Sequence, residues 1–221
     1  GPRVDERRCK KTKYIMKGKR MGSYFILACH SNIEVEFYRL RADTEARKRR
    51  WFAGNLFSVD NKNVAFQSPT DVINLETYEE DDLEDWVYPQ LTWHPIPLMK
   101  HSLVKALKES GVDNMQTYPT ILTNPQGNPP APSDLYLAVN IVGRVSAADM
   151  NSSSISSGNE DIMISVDFDS LVIDEKNVHG LRMFRLAENI SAVLVHESVR
   201  NTIEKAGIDD LTWFAPEEWA G

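Results

Sequence analysis

The chain has 221 residues, 42% of them hydrophobic and 26% charged, a balance ordinary for a globular protein. Its two cysteines, Cys9 and Cys29, are too few for a disulfide framework, and no apolar run approaches the ~20 residues a membrane helix needs. The net charge of −7 is unevenly spread: residues 1–50 hold 15 Lys/Arg against 6 Asp/Glu, whereas residues 51–221 hold 10 against 26. Such asymmetry reports on partners rather than on fold.

Residues 1–11 (GPRVDERRCKK) carry almost no apolar side chains and are expected to form a disordered leader or tag. No charged-then-apolar-then-small pattern marks a secretory signal, which points to the cytoplasm. Tyr14-Ile15-Met16 and Tyr24-Phe25-Ile26-Leu27-Ala28 read as two strands joined through Gly18 and Gly22 in a hairpin-like start, and Val35 to Leu40 as a half-buried strand. The run Arg47-Lys48-Arg49-Arg50 is the densest basic cluster; it reads as a solvated turn or helix face, with a nucleic-acid contact as the sharper reading. Val64-Ala65-Phe66 and Val72-Ile73 suggest short strands between Asn- and Pro-containing turns.

Next comes an acidic tract, in which seven of the ten residues Glu76 to Asp85 are acidic and none is basic. Trp86, Tyr88 and Trp93 follow it, and His94-Pro95-Ile96-Pro97 marks a boundary between two halves. Beyond that boundary Leu98 to Tyr118 (LMKHSLVKALKESGVDNMQTY) is echoed by Leu194 to Phe214 (LVHESVRNTIEKAGIDDLTWF). Each copy reads as an amphipathic helix, a glycine stop at Gly111 or Gly207, and a short strand; glycine suits the left-handed residue that closes a helix. Leu135 to Val142, the most continuous apolar run, reads as a central strand covered on both faces. Ile162 to Val166, Leu171 to Ile173, Met183 to Leu186 and Ala192 to Val195 read as further strands. Strands outnumber helices and few βαβ alternations are visible. The expected fold is α+β, a mixed and mostly antiparallel sheet carrying two equivalent helix–Gly–strand units.

Chemistry is sparse. There is no phosphate loop, no dinucleotide fingerprint and no nucleophile elbow. His30, His94, His101, His179 and His196 are scattered without a second ligand at metal spacing, and Asp167 and Asp169 are explained by a strand that ends in a turn. Nothing calls for a cofactor, a metal or a catalytic assignment. The acidic tract reads either as a solvated loop or as an anionic surface that docks on a basic protein, with neighbouring aromatics as interface anchors.

The order of these segments is familiar. The helix that closes in Gly-Val-Asp-Asn-Met-Gln-Thr-Tyr-Pro, then Leu135-Tyr136-Leu137-Ala138-Val139-Asn140-Ile141-Val142-Gly143, then Met183-Phe184-Arg185-Leu186, then Val193-Leu194-Val195-His196-Glu197 before a helix closing in Gly207, resembles the bacterial polymorphic-toxin immunity family called immunity protein eleven. The resemblance spans roughly residues 12–216. It implies a non-catalytic cytoplasmic inhibitor of a secreted antibacterial toxin, in several pairings a nuclease. Such a toxin has a basic groove, and the implied contacts here are Glu79, Glu80, Asp81, Asp82, Glu84, Asp85, Trp86 and Tyr88. Direct binding of nucleic acid or membrane is not implied. The alternative is a small-molecule module or an enzyme whose site is invisible in sequence. The organisation expected is a leader over 1–11, a β-rich half over 12–95 with the acidic tract, an α+β half over 96–216, either separate from the first or one continuous domain with it, and a tail over 217–221.

Overall fold

In the computed structural model the described residues are 22–28, 37–77, 86–124, 132–157 and 166–221. In chain order the strands are β1 (Tyr24–Ala28), β2 (Leu40–Ala42), β3 (Ile73–Thr77), β4 (Leu91–Thr92), β5 (Leu98–Lys100), β6 (Met115–Thr123), β7 (Tyr136–Ile141), β8 (Arg144–Val145), β9 (Ser154–Ser157), β10 (Asp167–Ser170), β11 (Met183–Leu186), β12 (Val193–His196) and β13 (Thr212–Phe214). The α-helices are α1 (Thr44–Arg47), α2 (His101–Glu109) and α3 (Glu197–Lys205). The fold is α+β, as expected.

The repeated segments are β5-α2-β6 and β12-α3-β13. Helix α2 buries Leu103, Val104, Ala106 and Leu107 along one stripe, and α3 buries Val199 and Ile203. Both helices stop in the same way. Gly111 (φ 92) donates to the Lys108 carbonyl and Val112 to that of Leu107; Gly207 (φ 81) donates to Glu204 and Ile208 to Ile203. This is the six-to-one and five-to-two bonding of a Schellman stop, and it requires a residue at ease with positive φ.

The repeat extends further in space than in sequence. Strand β7 lies between β5 and β6, antiparallel to both, and sets Ala138 opposite both Leu98 and Tyr118. Strand β1 lies between β12 and β13 and sets Ile26 opposite both Leu194 and Phe214. The outer strands match too: Leu91 of β4 faces Met99, and Met183 of β11 faces Val195. Each unit is therefore a split βαβ with its gap filled and one further strand added. The orders β6-β7-β5-β4 and β13-β1-β12-β11 correspond strand for strand.

The two units meet through their helices. Helix α2 packs on α3, and Leu103, Leu107, Val199 and Ile203 share one core with Leu27, Val139, Val193 and Val195. Each fully buried side chain of this size contributes roughly 1.5–3 kcal/mol. The polar contacts across the junction are reciprocal. Asn114 Nδ2 donates to the Met183 carbonyl (2.8 Å), and Asp210, which occupies the place equivalent to Asn114, accepts from the Gln90 backbone N–H (3.1 Å). Such reciprocity is what a two-fold interface produces.

What is not shared lies at the margins. Strand β6 continues past Tyr118, where β3 pairs with it in parallel and β2 pairs with β3 to form the edge of a six-stranded sheet. The second unit instead gains β8, parallel to β11, and a separate pair β9–β10. A second core lies under the larger sheet around Trp51, Phe57, Leu98 and Tyr136, and a third around Phe168, Phe184 and Leu194.

The two units lie in two sheets, one each, among the mixed and mostly antiparallel sheets expected. Strand β1 pairs with β12 on one side and β13 on the other, while Tyr14-Ile15-Met16, its expected hairpin partner, lies outside the described residues. Two expectations need correction. Val64–Phe66 is a 3-10 turn, because the Asn63 side chain accepts from the Ala65 N–H and caps it. The strand expected at Leu171 to Ile173 is Asp167–Ser170, followed by a single bridge between Ile173 and Ala148. The strand at Ile162 to Val166 falls almost wholly outside the described residues.

Candidate partner-binding surface

Strand β3 alternates buried Ile73, Leu75 and Thr77 with exposed Asn74 and Glu76, and it delivers the chain to the acidic tract. Glu79, Glu80, Asp81, Asp82, Glu84 and Asp85 lie outside the described residues, which stop at Thr77 and resume at Trp86. Thr77 Oγ1 donates to Asn124 Oδ1 (3.0 Å), and Asn124 Nδ2 donates to the Tyr88 hydroxyl (2.7 Å). One buried amide just past β6 thus ties Thr77, at the start of the tract, to Tyr88, three residues beyond its end. Hydrogen bonds among buried groups carry a penalty if broken, so this clamp holds Thr77 and Tyr88 in place relative to each other.

Tyr38 supports the return. Its ring stacks on Tyr88 at 4.4 Å and meets the edge of Trp86 at 5.9 Å, and its N–H donates to the Val87 carbonyl. Trp86 is half-buried, Val87 is 44% exposed and Tyr88 only 8%. Burial, with Tyr38 beside it, raises the Tyr88 phenol above its ordinary pKa. Of the two aromatics singled out from the sequence, Trp86 keeps an open face and Tyr88 is core.

Beside the root of the tract lies an open cavity of about 470 Å³. Its floor is the solvent face of β2, β3 and β6, with Arg41, Asn74, Glu76 and Thr123; its wall is Asp43, Thr44 and Arg47 at α1. Asp43 Oδ1 accepts from the Ala46 N–H and Oδ2 from the Asn74 N–H, both at 2.7 Å. That carboxylate is committed to holding α1 over β3. Arg41 pairs with Glu76 at 3.3 Å. Among the described residues the Arg47 guanidinium reaches only Thr44 Oγ1, at 3.4 Å. Nothing in the sequence joins residues 41–47, 74–76 and 123; the parallel pairing of β3 with β6 does so.

The other members of the basic cluster are engaged by the chain itself. Lys48 pairs with Glu45, Arg49 donates to the carbonyls of Gln67 and Glu45, and the Arg50 guanidinium lies 5.9 Å from the Phe66 ring. Next to them runs a loop held by Gln116, whose amide bonds both the N–H and the carbonyl of Phe57 (2.8 and 2.9 Å). From this loop project Leu56 and Val59, 62% and 66% exposed.

The most perturbed cation lies elsewhere. Arg185 of β11 is 1% exposed, and burial brings its pKa down to about 10. It donates to the Ile190 carbonyl (2.8 Å) and sits 5.4 Å from the Phe52 ring and 5.7 Å from that of Trp93. Trp93 holds the place in the first unit that Arg185 holds in the second, so the two meet at the junction of the units. The role of Arg185 is structural. Among the described residues no group of His, Cys, Asp and Glu is placed to hold a metal ion, and no helix is long and apolar enough to cross a membrane.

No curated protein matches the chain. A family model described as "Immunity protein family (Imm11)" matches residues 58–216, beginning in the loop that carries Val59 and taking in both helix–Gly–strand units. With a match over well more than half of its length, the chain belongs to that immunity protein family.

Proposed function

We propose that this chain is a non-catalytic immunity protein that binds a cognate toxin with a basic active-site groove, a nuclease by its charge, and neutralises it by covering that groove. The observation that carries this reading, beside the family, is the acidic tract: seven carboxylates in ten residues, flanked by Thr77 and Tyr88, which both bond Asn124. A nuclease has to neutralise phosphates with Lys and Arg. An anionic segment rooted at two fixed points competes for the same cations. Complementary charge raises encounter rates toward ~10⁸ M⁻¹s⁻¹ at low salt and disfavours wrong partners. Glu79, Glu80, Asp81, Asp82, Glu84 and Asp85 make the contacts, Trp86 adds an apolar anchor, and Tyr88 holds the return point.

The protein acts stoichiometrically, in the cytoplasm of the cell that makes the toxin, and shields that cell and its kin. A small-molecule or enzymatic reading would centre on the cavity, but both of its carboxylates are engaged, Asp43 by backbone N–H groups and Glu76 by Arg41. That leaves no ready general base there. The test is growth rescue. The toxin domain encoded beside this gene is expressed in a test strain with and without the protein. Restored growth and co-purification are expected; failure to rescue with both proteins soluble would overturn the reading.

A further inference from the structure

The duplicated scaffold shows where specialisation was added. Strand β13 ends at Phe214, but its equivalent β6 runs on to Thr123 and recruits β3, β2 and α1. This addition carries both the root of the acidic tract and the open cavity. The cavity's free hydrogen-bonding capacity is that of a donor site. The Arg47 guanidinium has a single long bond to Thr44, while the Asn74 amide and Thr123 hydroxyl line the floor with no partner among the described residues. A planar guanidinium with open N–H groups matches a carboxylate in a fork-to-fork arrangement.

The surroundings narrow the ligand. Glu76 lines the same cavity, and the tract that begins with it brings six more carboxylates. A uniformly anionic ligand such as a nucleic-acid backbone would be repelled. A protein surface that sets one carboxylate among several cations satisfies both parts, its cations meeting the tract and its carboxylate meeting Arg47. We infer that the cavity beside α1 receives an Asp or Glu side chain of the toxin, held by Arg47 and Asn74, and that this reversed charge pair fixes the register in which the acidic tract lies on the basic groove. The inference rests on the function proposed above. It makes Arg47 a determinant of which toxin is recognised, since a toxin with a cation at that point would meet like charge.

The test measures binding of the full chain to the toxin domain encoded beside it, for wild type, Arg47→Glu and Lys48→Glu. Lys48→Glu makes the same change in net charge one residue further on, at the C-terminal end of α1, but Lys48 does not line the cavity. Thermal melting checks that each variant is folded. The expected result is that Arg47→Glu weakens binding by about tenfold or more, mainly through faster dissociation, while Lys48→Glu stays within about twofold of wild type. Equal losses in the two variants would reduce the effect to general charge and overturn the inference, as would unchanged binding by Arg47→Glu. Binding of a short DNA duplex that is lost in Arg47→Glu would overturn it in favour of a nucleic-acid site. If wild type does not bind the toxin at all, the proposed function itself fails, an outcome distinct from the others.

Discussion

Tyr24 and Tyr136 make the same hydrogen bond in two different sheets. Tyr24 Oη donates to the Leu181 carbonyl and Tyr136 Oη to the Pro89 carbonyl, each at 2.6 Å. Each acceptor lies two residues before the outer strand of its unit, β11 or β4. The bond ties the inserted middle strand to the approach of the outer strand, across the strand between them.

Removing either hydroxyl leaves a carbonyl without its partner, which costs about 1–3 kcal/mol when the site is buried. Tyr136 is fully buried and Tyr24 is 6% exposed, so Tyr136→Phe is expected to be the more damaging change. Thermal unfolding should show a lower melting temperature for both, by roughly 2–4 °C per kcal/mol in a chain of this size. The larger shift belongs to Tyr136→Phe.

The two glycine stops differ in surroundings but not in geometry, and this gives a second comparison. A Cβ at Gly207 meets nothing within 4 Å, whereas at Gly111 it would lie 3.2 Å from the Arg182 guanidinium. Arg182 donates to the Ser110 carbonyl and closes the junction between the units. Gly207→Ala should therefore cost only the left-handed conformation, about 1–2 kcal/mol. Gly111→Ala adds displacement of Arg182 and should cost roughly 1 kcal/mol more. Urea denaturation of the two variants, read at equal m-values, makes the comparison.

Alkaline pH should unfold the protein through its buried phenols. Burial raises the pKa of Tyr24, Tyr88 and Tyr136 above the ordinary value of 10. Above pH 10 the unfolded chain gives up protons that the folded chain keeps, so stability falls as pH rises, by about 1.4 kcal/mol per pH unit for a fully protected phenol. Arg185 works in the opposite sense: its folded pKa of about 10 lies below the ordinary 12.5, and its buried charge is relieved over that window. Lys100, whose pKa burial also lowers, acts in the same sense as Arg185, and the three phenols outweigh these two cations. The melting temperature should decline above pH 10, less steeply in Tyr136→Phe, and a rise there would refute the balance.

Local chemistry made part of this legible in advance. The helix stripes repeat at 3.6 residues and the stops are glycines, so α2, α3 and their ends could be read from adjacent residues. Strand β7 was legible because burial on both faces leaves a continuous apolar run. The rest depends on contacts distant in sequence. Tyr24 of β1 pairs with His196, and no nearby residue announces that pairing. The same holds for the site. The charge of the tract was plain, but the clamp joining Thr77, Asn124 and Tyr88, and the cavity that Arg47 overlooks, exist only because β3 pairs in parallel with β6. The burial of Tyr88 has the same origin: its partners, Tyr38 and Asn124, come from separate segments.

The most direct test of the central claim is the association rate with the toxin domain encoded beside this gene, measured across a range of salt. Wild type would be compared with a variant in which Glu79, Glu80, Asp81, Asp82, Glu84 and Asp85 are replaced by their amides. The account predicts fast association by wild type that slows steeply as salt rises, and slower, nearly salt-independent association by the variant. Association that is equally fast and equally salt-sensitive in both proteins would contradict it and remove the acidic tract from the interface.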